Sequence, residues 1–434
     1  MVYNVIQIQN VIEIFNKIEQ SINENDIDST INSILILFSY NSNFNRLSDE
    51  SIRFLLQKGI LNLIQDSIIY QDNQNFTYII RNITGFTEIA KFAEILVESN
   101  ITTHALDILC VLSLENPTFC QTIFEYLFNL SKFSTNCITI YKFGLINLIE
   151  HIIQSNCPIE SIKFLIDFCS KYFPILFQEN VPMMESFRIV RLLERIFDQA
   201  IELESPQKSF IIQNTILTII KCSENQTISK LILTTGIAAK IQQNICQFNR
   251  TSQLYSVLVL NNAFRHKELE NHLYRLANLI NIQIFDNLLL ELDDEIKSEI
   301  LKLFSYLFKF VDDLADEQAK SPSFINIMSS NSSFSFDFKQ NLIKAMKSGF
   351  MNSNSIESKR LWSMNDLFEE EIQNICTDLI DDQENIENIK FIQEVFDTCD
   401  NDSELSNIIY PLVEQKIIID RKPYSFNFCC NTIE

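Results

Sequence analysis

The sequence predicts an all-α fold, with helices stacked side by side as a solenoid. Three observations predict it: a scarcity of glycine and proline, apolar residues at helical spacing along almost the whole chain, and landmarks that return at intervals of 39 to 53 residues. The 434 residues include only 5 Gly and 8 Pro, where ordinary usage gives about 30 and 20. Open α/β sheets and β-sandwiches need glycine at turns and tight crossings, whereas helices joined by short polar loops do not. Hydrophobic residues make up 46% of the chain, enough to fill an extended core, so disorder over most of the length is not expected.

Helical periodicity begins at once. Val5, Ile8, Ile12, Phe15 and Ile18 lie three and four residues apart, which places them on one face of a helix. The pattern returns at 34–38, 101–114, 122–133, 162–173, 187–201, 211–220, 253–264 and 296–311, with Asn, Ser, Asp or Pro clusters between. Pro117, Pro158, Pro182 and Pro206 stand at or near the start of such runs. Proline is tolerated there because a first-turn N–H has no helical partner to lose. No long polar/apolar alternation points to a sheet.

The landmarks are a glycine start and an asparagine. Gly59-Ile60-Leu61-Asn62-Leu63-Ile64 is nearly repeated as Gly144-Leu145-Ile146-Asn147-Leu148-Ile149, and a weaker copy begins at Gly236-Ile237. Each glycine is followed by an apolar helix that ends in apolar-x-Asn-apolar or its equivalent. Gly59 precedes Asn82 by 23 residues, Gly144 precedes Phe168 by 24, and Gly236 precedes Asn262 by 26. The matching positions 82, 129, 168, 221, 262 and 309 bracket the period of about 40–47 residues typical of paired-helix repeats. The glycine start, with Leu127-Phe128-Asn129-Leu130-Ser131 as its downstream partner, resembles an armadillo repeat, and the chain is read as armadillo/HEAT-like over residues 1–312. That resemblance implies a right-handed α-α superhelix, a glycine turn between a short first helix and a second, and a third helix that carries the asparagine and lines a concave groove.

Beyond the array, residues 313–360 are rich in Ser, Asn and Phe and read as a linker with one short helix near 338–346. Helical patterning resumes at 361–380, 386–396 and 405–416. Residues 361–434 are therefore expected to form an acidic helical region, a cap or a small bundle. Between Asp366 and Glu404 there are fourteen acidic residues and one lysine, Lys390, which supplies much of the net charge of −22. So acidic a chain is not expected to take nucleic acid or an anionic membrane as its main partner.

The eleven cysteines are scattered, apart from Cys429-Cys430, and none forms C-x-x-C. Most fall within apolar helical runs, and they read as buried free thiols of a reducing compartment. The start of the chain lacks a basic, apolar leader, and no apolar run approaches the roughly 20 residues of a membrane span. A cytoplasmic location is expected, with the nucleus as the alternative.

No catalytic motif stands out. There is no phosphate-binding glycine loop, no H-E-x-x-H and no G-x-S-x-G. His104, His151, His266 and His272 make no metal pattern. The expectation is a chain without catalytic activity, cofactor, metal or small-molecule substrate. A helical array buries its apolar stripes between neighbours and leaves an elongated surface for extended peptides or helices. Asn82, Asn129 and Asn262 are the groove candidates, because an amide both donates to and accepts from a peptide backbone. Lys221 and Lys309 occupy the same register. Arg188, Arg191 and Arg195 form a possible basic stripe, although Glu185, Glu194 and Asp198 lie close enough to neutralise it. The expected role is a scaffold or adaptor that binds other proteins. The alternatives are a structural part of a cytoskeletal or coat assembly and a nuclear-import-receptor-like protein. The second is disfavoured because such receptors pair groove asparagines with tryptophan, and Trp362 lies outside the array.

Overall fold

The computed structural model describes residues 4–6, 8–39, 45–62, 73–155, 157–179, 181–265, 270–291, 293–329 and 334–363, and in the C-terminal region residues 366–368, 370–372, 375, 390–392, 394–395 and 398. The fold is all-α. It divides into two compact units, Met1–Ile237 with Phe248–Tyr255, and Ala238–Gln247 with Ser256–Glu434.

The first unit opens with β1 (Asn4–Ile6), α1 (Ile8–Asn23), α2 (Ile27–Ser39), β2 (Asn45–Leu47) and α3 (Asp49–Gln57). β1 and β2 pair in parallel, with Ile6 opposite Leu47, and are the only strands among the described residues. There follow α4 (Asn73–Ile83), a 3-10 turn (Thr84–Glu88), α5 (Ala90–Glu98), α6 (Asn100–Glu115), α7 (Pro117–Ser131), α8 (Ser134–Lys142) and α9 (Leu145–Gln154). Then come α10 (Ile159–Leu176), α11 (Met183–Glu202), α12 (Lys208–Cys222) and α13 (Gln226–Thr235). Pro117 is the first residue of α7, and Pro158 and Pro182 immediately precede α10 and α11. Gly144 separates α8 from α9 with φ +88°, and Gly59 and Gly236 also sit at positive φ, +64° and +84°. This left-handed backbone is strained for any residue with a Cβ, which is why glycine marks these turns.

Two layers result. α4, α7, α10 and α12 lie side by side, each against the next. α5 packs on α8, α6 on α9, α9 on α11 and α11 on α13. Between the layers, α7 buries Ile123, Phe124, Tyr126, Leu127 and Leu130, and α10 buries Leu165, Ile166, Phe168, Tyr172 and Phe173. Polar ties cross the stack where side chains enter it: Ser161 Oγ donates to Ser113 O (2.6 Å), and Tyr172 OH donates to Cys137 O (3.0 Å). Cys120, Cys137, Cys169 and Cys222 are free and buried. Burial, the largest influence on both, pushes the Cys120 and Cys137 thiols up to about 12, so neither is a ready nucleophile.

The second unit takes most of α14 (Ile237–Asn244), the end of α15 (Arg250–Phe264), α16 (Glu270–Leu279), α17 (Ile282–Glu291) and α18 (Asp294–Leu307). It continues through α19 (Leu314–Ala319), α20 (Pro322–Ser329), α21 (Phe336–Asn352) and α22 (Ile356–Ser363). Residues 313–360 thus hold far more helix than the linker with one short helix expected from their composition. Phe338, Leu342, Ala345, Met346 and Phe350 form an apolar stripe that packs α21 on α18. The Ser and Asn content that reads as loop is spent on the packing itself. Ser335 caps α21, Asn341 Nδ2 donates to Ser298 Oγ (3.0 Å), and Ser348 Oγ donates to Ser305 O (2.7 Å). Of the acidic C-terminal region, Phe368 and Phe391 pack on Phe350, with ring centroids 5.4 and 6.1 Å away. The helix expected at 405–416 lies outside the described residues.

Asp316 supplies a pH dependence. Its carboxylate accepts from the backbone N–H groups of Asn354 (2.8 Å) and Ser355 (3.1 Å), closing the N-terminus of α22. Partial burial raises its pKa, but the hydrogen bonds from Asn354, Ser358 and Ser355 outweigh it and hold the group below its ordinary 3.8. A carboxyl with a depressed native pKa stabilises the fold above the unfolded value and loses that contribution as pH falls through the native one. Asp316→Asn is therefore expected to be less stable than the parent at pH 6 and to converge with it as pH falls below 3.8 and through the depressed native value, read by urea denaturation at each pH. A constant gap across that range would remove the assignment.

Candidate protein-binding face

The row α4, α7, α10 and α12 turns one side to the second layer and the other outward. On the outward side lie Tyr78, Arg81 and Asn82 of α4, and Gln121, Glu125, Phe128, Asn129 and, just past its end, Lys132 of α7. α10 adds Lys163, Phe164, Asp167 and Lys171, and α12 adds Phe210, Asn214 and Lys221. Within each helix most of these residues follow one another at spacings of three or four, which is why they share a face.

Three partly exposed phenylalanines lie on it, and each has an ammonium group against its ring. Lys132 and Lys171 stand 5.4 and 5.6 Å from the Phe128 centroid. Lys163 stands 5.9 Å from Phe164 and 5.0 Å from Phe210, so it joins α10 to α12. Between α7 and α10 the surface dips into a hollow of about 30 Å³, its walls including Gln121, Phe128, Phe164 and Lys171. Its floor is Phe124 and Phe168, which stack at 5.1 Å, and Phe168 in turn stacks on the buried Tyr172, also at 5.1 Å.

The residues singled out from sequence are placed as follows. Asn129 is half-buried on the outward face, and its side-chain amide makes no hydrogen bond among the described residues. The Asn82 amide turns back on its own helix and donates to Tyr78 O (2.8 Å). Asn262 is half-buried near the end of α15, but its neighbour Asn261 does the bridging: buried, it donates to Glu299 O (3.0 Å) and Oε2 (2.8 Å) of α18. Lys309 is exposed two residues past the end of α18. Arg188 reaches Glu150 (2.7 Å), Glu185 (3.0 Å) and Asn147 (2.8 Å). Arg191 pairs with Glu194 (2.5 Å), and Arg195 is exposed. The stripe on α11 is thus largely neutralised by its own neighbours.

Lys221 has a local task. Pro174 lies inside α10 and lacks the N–H that would bond Ser170 O one turn back. Lys221 Nζ donates to that carbonyl from α12, at 3.5 Å. Lys221→Ala is expected to cost about 0.5–1 kcal/mol, and almost nothing once Pro174→Ala restores the missing donor. A double-mutant cycle in urea measures the coupling, and equal costs in both backgrounds would discard the idea.

The phenylalanine and lysine side chains that define this face escaped the sequence reading, which followed the asparagines. The signal was present: Phe128 adjoins Asn129, and Lys163-Phe164 falls one turn before the equivalent position, Phe168. Among the described residues no group of three or more His, Cys, Asp and Glu is placed to hold a metal ion, and no single helix is long and apolar enough to cross a membrane.

No family model matches the chain, and no curated protein matches it. Among solved structures it is similar to the crystal structure of an engineered protein, with a TM-score of 0.63 and 10% identity over 95% of this chain and 93% of that one. A second engineered protein aligns with a TM-score of 0.43 and 11% identity over 56% of this chain and 96% of that one. The first likeness is one of fold alone.

Proposed function

We propose that this chain is a non-catalytic scaffold or adaptor that holds a partner protein across the outward face of α4, α7, α10 and α12. The observation that carries the reading is the presence of three partly exposed rings, Phe128, Phe164 and Phe210, on the same side of consecutive neighbouring helices, linked through Lys163 and Lys171 of α10. Scattered exposed apolar side chains are ordinary on a protein surface, but a contiguous set rimmed by polar groups is the usual form of an interaction site. Asn129, with its amide unspent, supplies a donor and an acceptor for a peptide main chain in the same place.

The arrangement we infer for the whole chain is the right-handed superhelix of armadillo/HEAT-like repeats. Supporting it are the left-handed glycines at the turns after α3, α8 and α13 and the return of a long third helix, α10 and α15, after the glycine-joined pairs α8–α9 and α13–α14. In that arrangement the proposed face is the concave one. The partner is a protein segment, extended or helical, rather than nucleic acid, membrane or a small molecule.

The test is selection from a random peptide library displayed on phage, using the purified full chain. Enriched peptides are expected to lose binding to the Asn129→Ala, Phe210→Ala double variant, whose thermal melt stays within about 2 °C of the parent because both side chains are at least partly exposed. Peptides that bind the double variant as well as the parent would move the site elsewhere.

A further inference from the structure

Resting on that reading, we infer that the ligand of this face is an extended acidic peptide with apolar side chains about three to five residues apart. The charge comes first. The sequence carries 56 acidic residues against 34 Lys and Arg, yet the outward face reverses that balance. Arg81, Lys132, Lys163, Lys171 and Lys221 are set against Glu125, Glu160 and Asp167. Asp167 is engaged with Lys171 at 2.7 Å. Neither Lys132 nor Lys163 has a carboxylate partner among the described residues; each rests against a phenylalanine ring instead. Cations left unpaired in an otherwise acidic chain draw a partner of opposite charge and repel a basic one.

Spacing comes second. Packed helices lie about 8–10 Å apart, and an extended chain advances about 3.3 Å per residue. Phe164 and Phe210 share Lys163, so a peptide crossing from α10 to α12 meets the second ring about three residues after the first; Phe128, beside Lys171 two turns further along α10, lies on a diagonal, about three to five residues from Phe164. Its apolar side chains cover the free edges of Phe128, Phe164 and Phe210, with the hollow between α7 and α10 taking one of them. The carboxylates between them meet Lys132 and Lys171 on one side of that hollow and Lys163 on the other. A single-stranded nucleic acid also uses lysines and rings, but Glu125 and Glu160 on the same face oppose a polyphosphate backbone.

The experiment is fluorescence anisotropy with the full chain and four labelled probes. Three are twelve-residue peptides with leucine at every third position, separated by Asp/Glu, by Ser/Gln or by Lys/Arg. The fourth is a twelve-nucleotide oligothymidine. The acidic peptide is expected to bind at least tenfold tighter than the neutral one, with the preference shrinking between 50 and 500 mM salt, and the basic peptide and oligothymidine to bind negligibly. A Lys132→Glu, Lys163→Glu, Lys171→Glu variant is expected to abolish or invert the charge preference. Its folding is checked by circular dichroism, and Lys→Gln at the same positions serves as the milder version if it fails. Equal binding of all three peptides, lost on Phe210→Ala, would overturn the acidic class and leave the scaffold reading standing. Tighter oligothymidine binding would replace the peptide with nucleic acid. Failure of every probe, together with library peptides that ignore Asn129 and Phe210, would overturn both readings.

Discussion

Trp362→Ala is expected to destabilise the second unit by about 3–5 kcal/mol, the range for deleting a large buried aromatic side chain. The indole is fully buried, edge-on to Phe308 at 5.3 Å and Phe324 at 5.2 Å, and its Nε1 donates to Ala315 O at 3.1 Å. It therefore joins α18, α19, α20 and α22 at one point. The ring lies against Gly349 of α21, where a Cβ would come within 2.7 Å of Cδ2. This glycine is not at a turn; it is there because the ring leaves no room for a methyl group. Gly349→Ala alone is expected to cost about 1–3 kcal/mol through overpacking. In the Trp362→Ala background the same change becomes neutral or favourable, since alanine is the better helix former by about 1 kcal/mol. Trp362 is the only tryptophan of the chain, so its fluorescence reports unfolding of this region in the glycine variant, with circular dichroism serving the others. If Gly349→Ala costs the same with and without the indole, the assigned contact is not what excludes a side chain at 349.

Phe168→Ala is the second large effect, again about 3–5 kcal/mol. The ring is 2% exposed and stacks between Phe124 of α7 and Tyr172 of its own helix. Removing it takes away the principal aromatic contact between α7 and α10 and the floor of the hollow on the binding face. Phe168→Leu keeps most of the volume and is expected to cost less than about 1.5 kcal/mol. Urea unfolding followed by circular dichroism measures both. An alanine variant within about 1 kcal/mol of the parent would show that the stack does not hold the two helices together.

Much of the fold was legible because its determinants are local. The 3-and-4 spacing of apolar residues, the prolines at helix starts and the left-handed glycines act within one turn of chain, and Gly144 and Gly236 fall at the helix junctions where the repeat pattern puts them. What escaped depends on the neighbouring repeat. Residues 313–360 read as a linker with one short helix near 338–346, because their Ser and Asn content looks polar until α18 is beside them to receive Asn341 and Ser348. Asn261 and Asn262 are indistinguishable in sequence; only the position of Glu299 selects Asn261 as the bridge. Phe168 holds the register position of Asn129 yet belongs to the core, since a phenylalanine there gains by turning inward. Lys221 stands in the groove register, and its further link to the carbonyl opened by Pro174 needs two helices to be seen.

The long-range side-chain hydrogen bonds have a kinetic meaning. Among the described residues they join positions 24 to 51 apart, from Thr102 with Tyr126 to Lys221 with Ser170, and none reaches farther. Within each unit these bonds fasten a segment to the one before or the one after it, so the stability they add accumulates by nearest-neighbour coupling rather than by a single global closure. A growing chain can consolidate its first segments while later ones are still being made, with no distant terminus to wait for. Thermal opening, by the same logic, begins wherever two adjacent segments are most weakly joined, and amide exchange rates along the chain will trace those junctions as a series of steps.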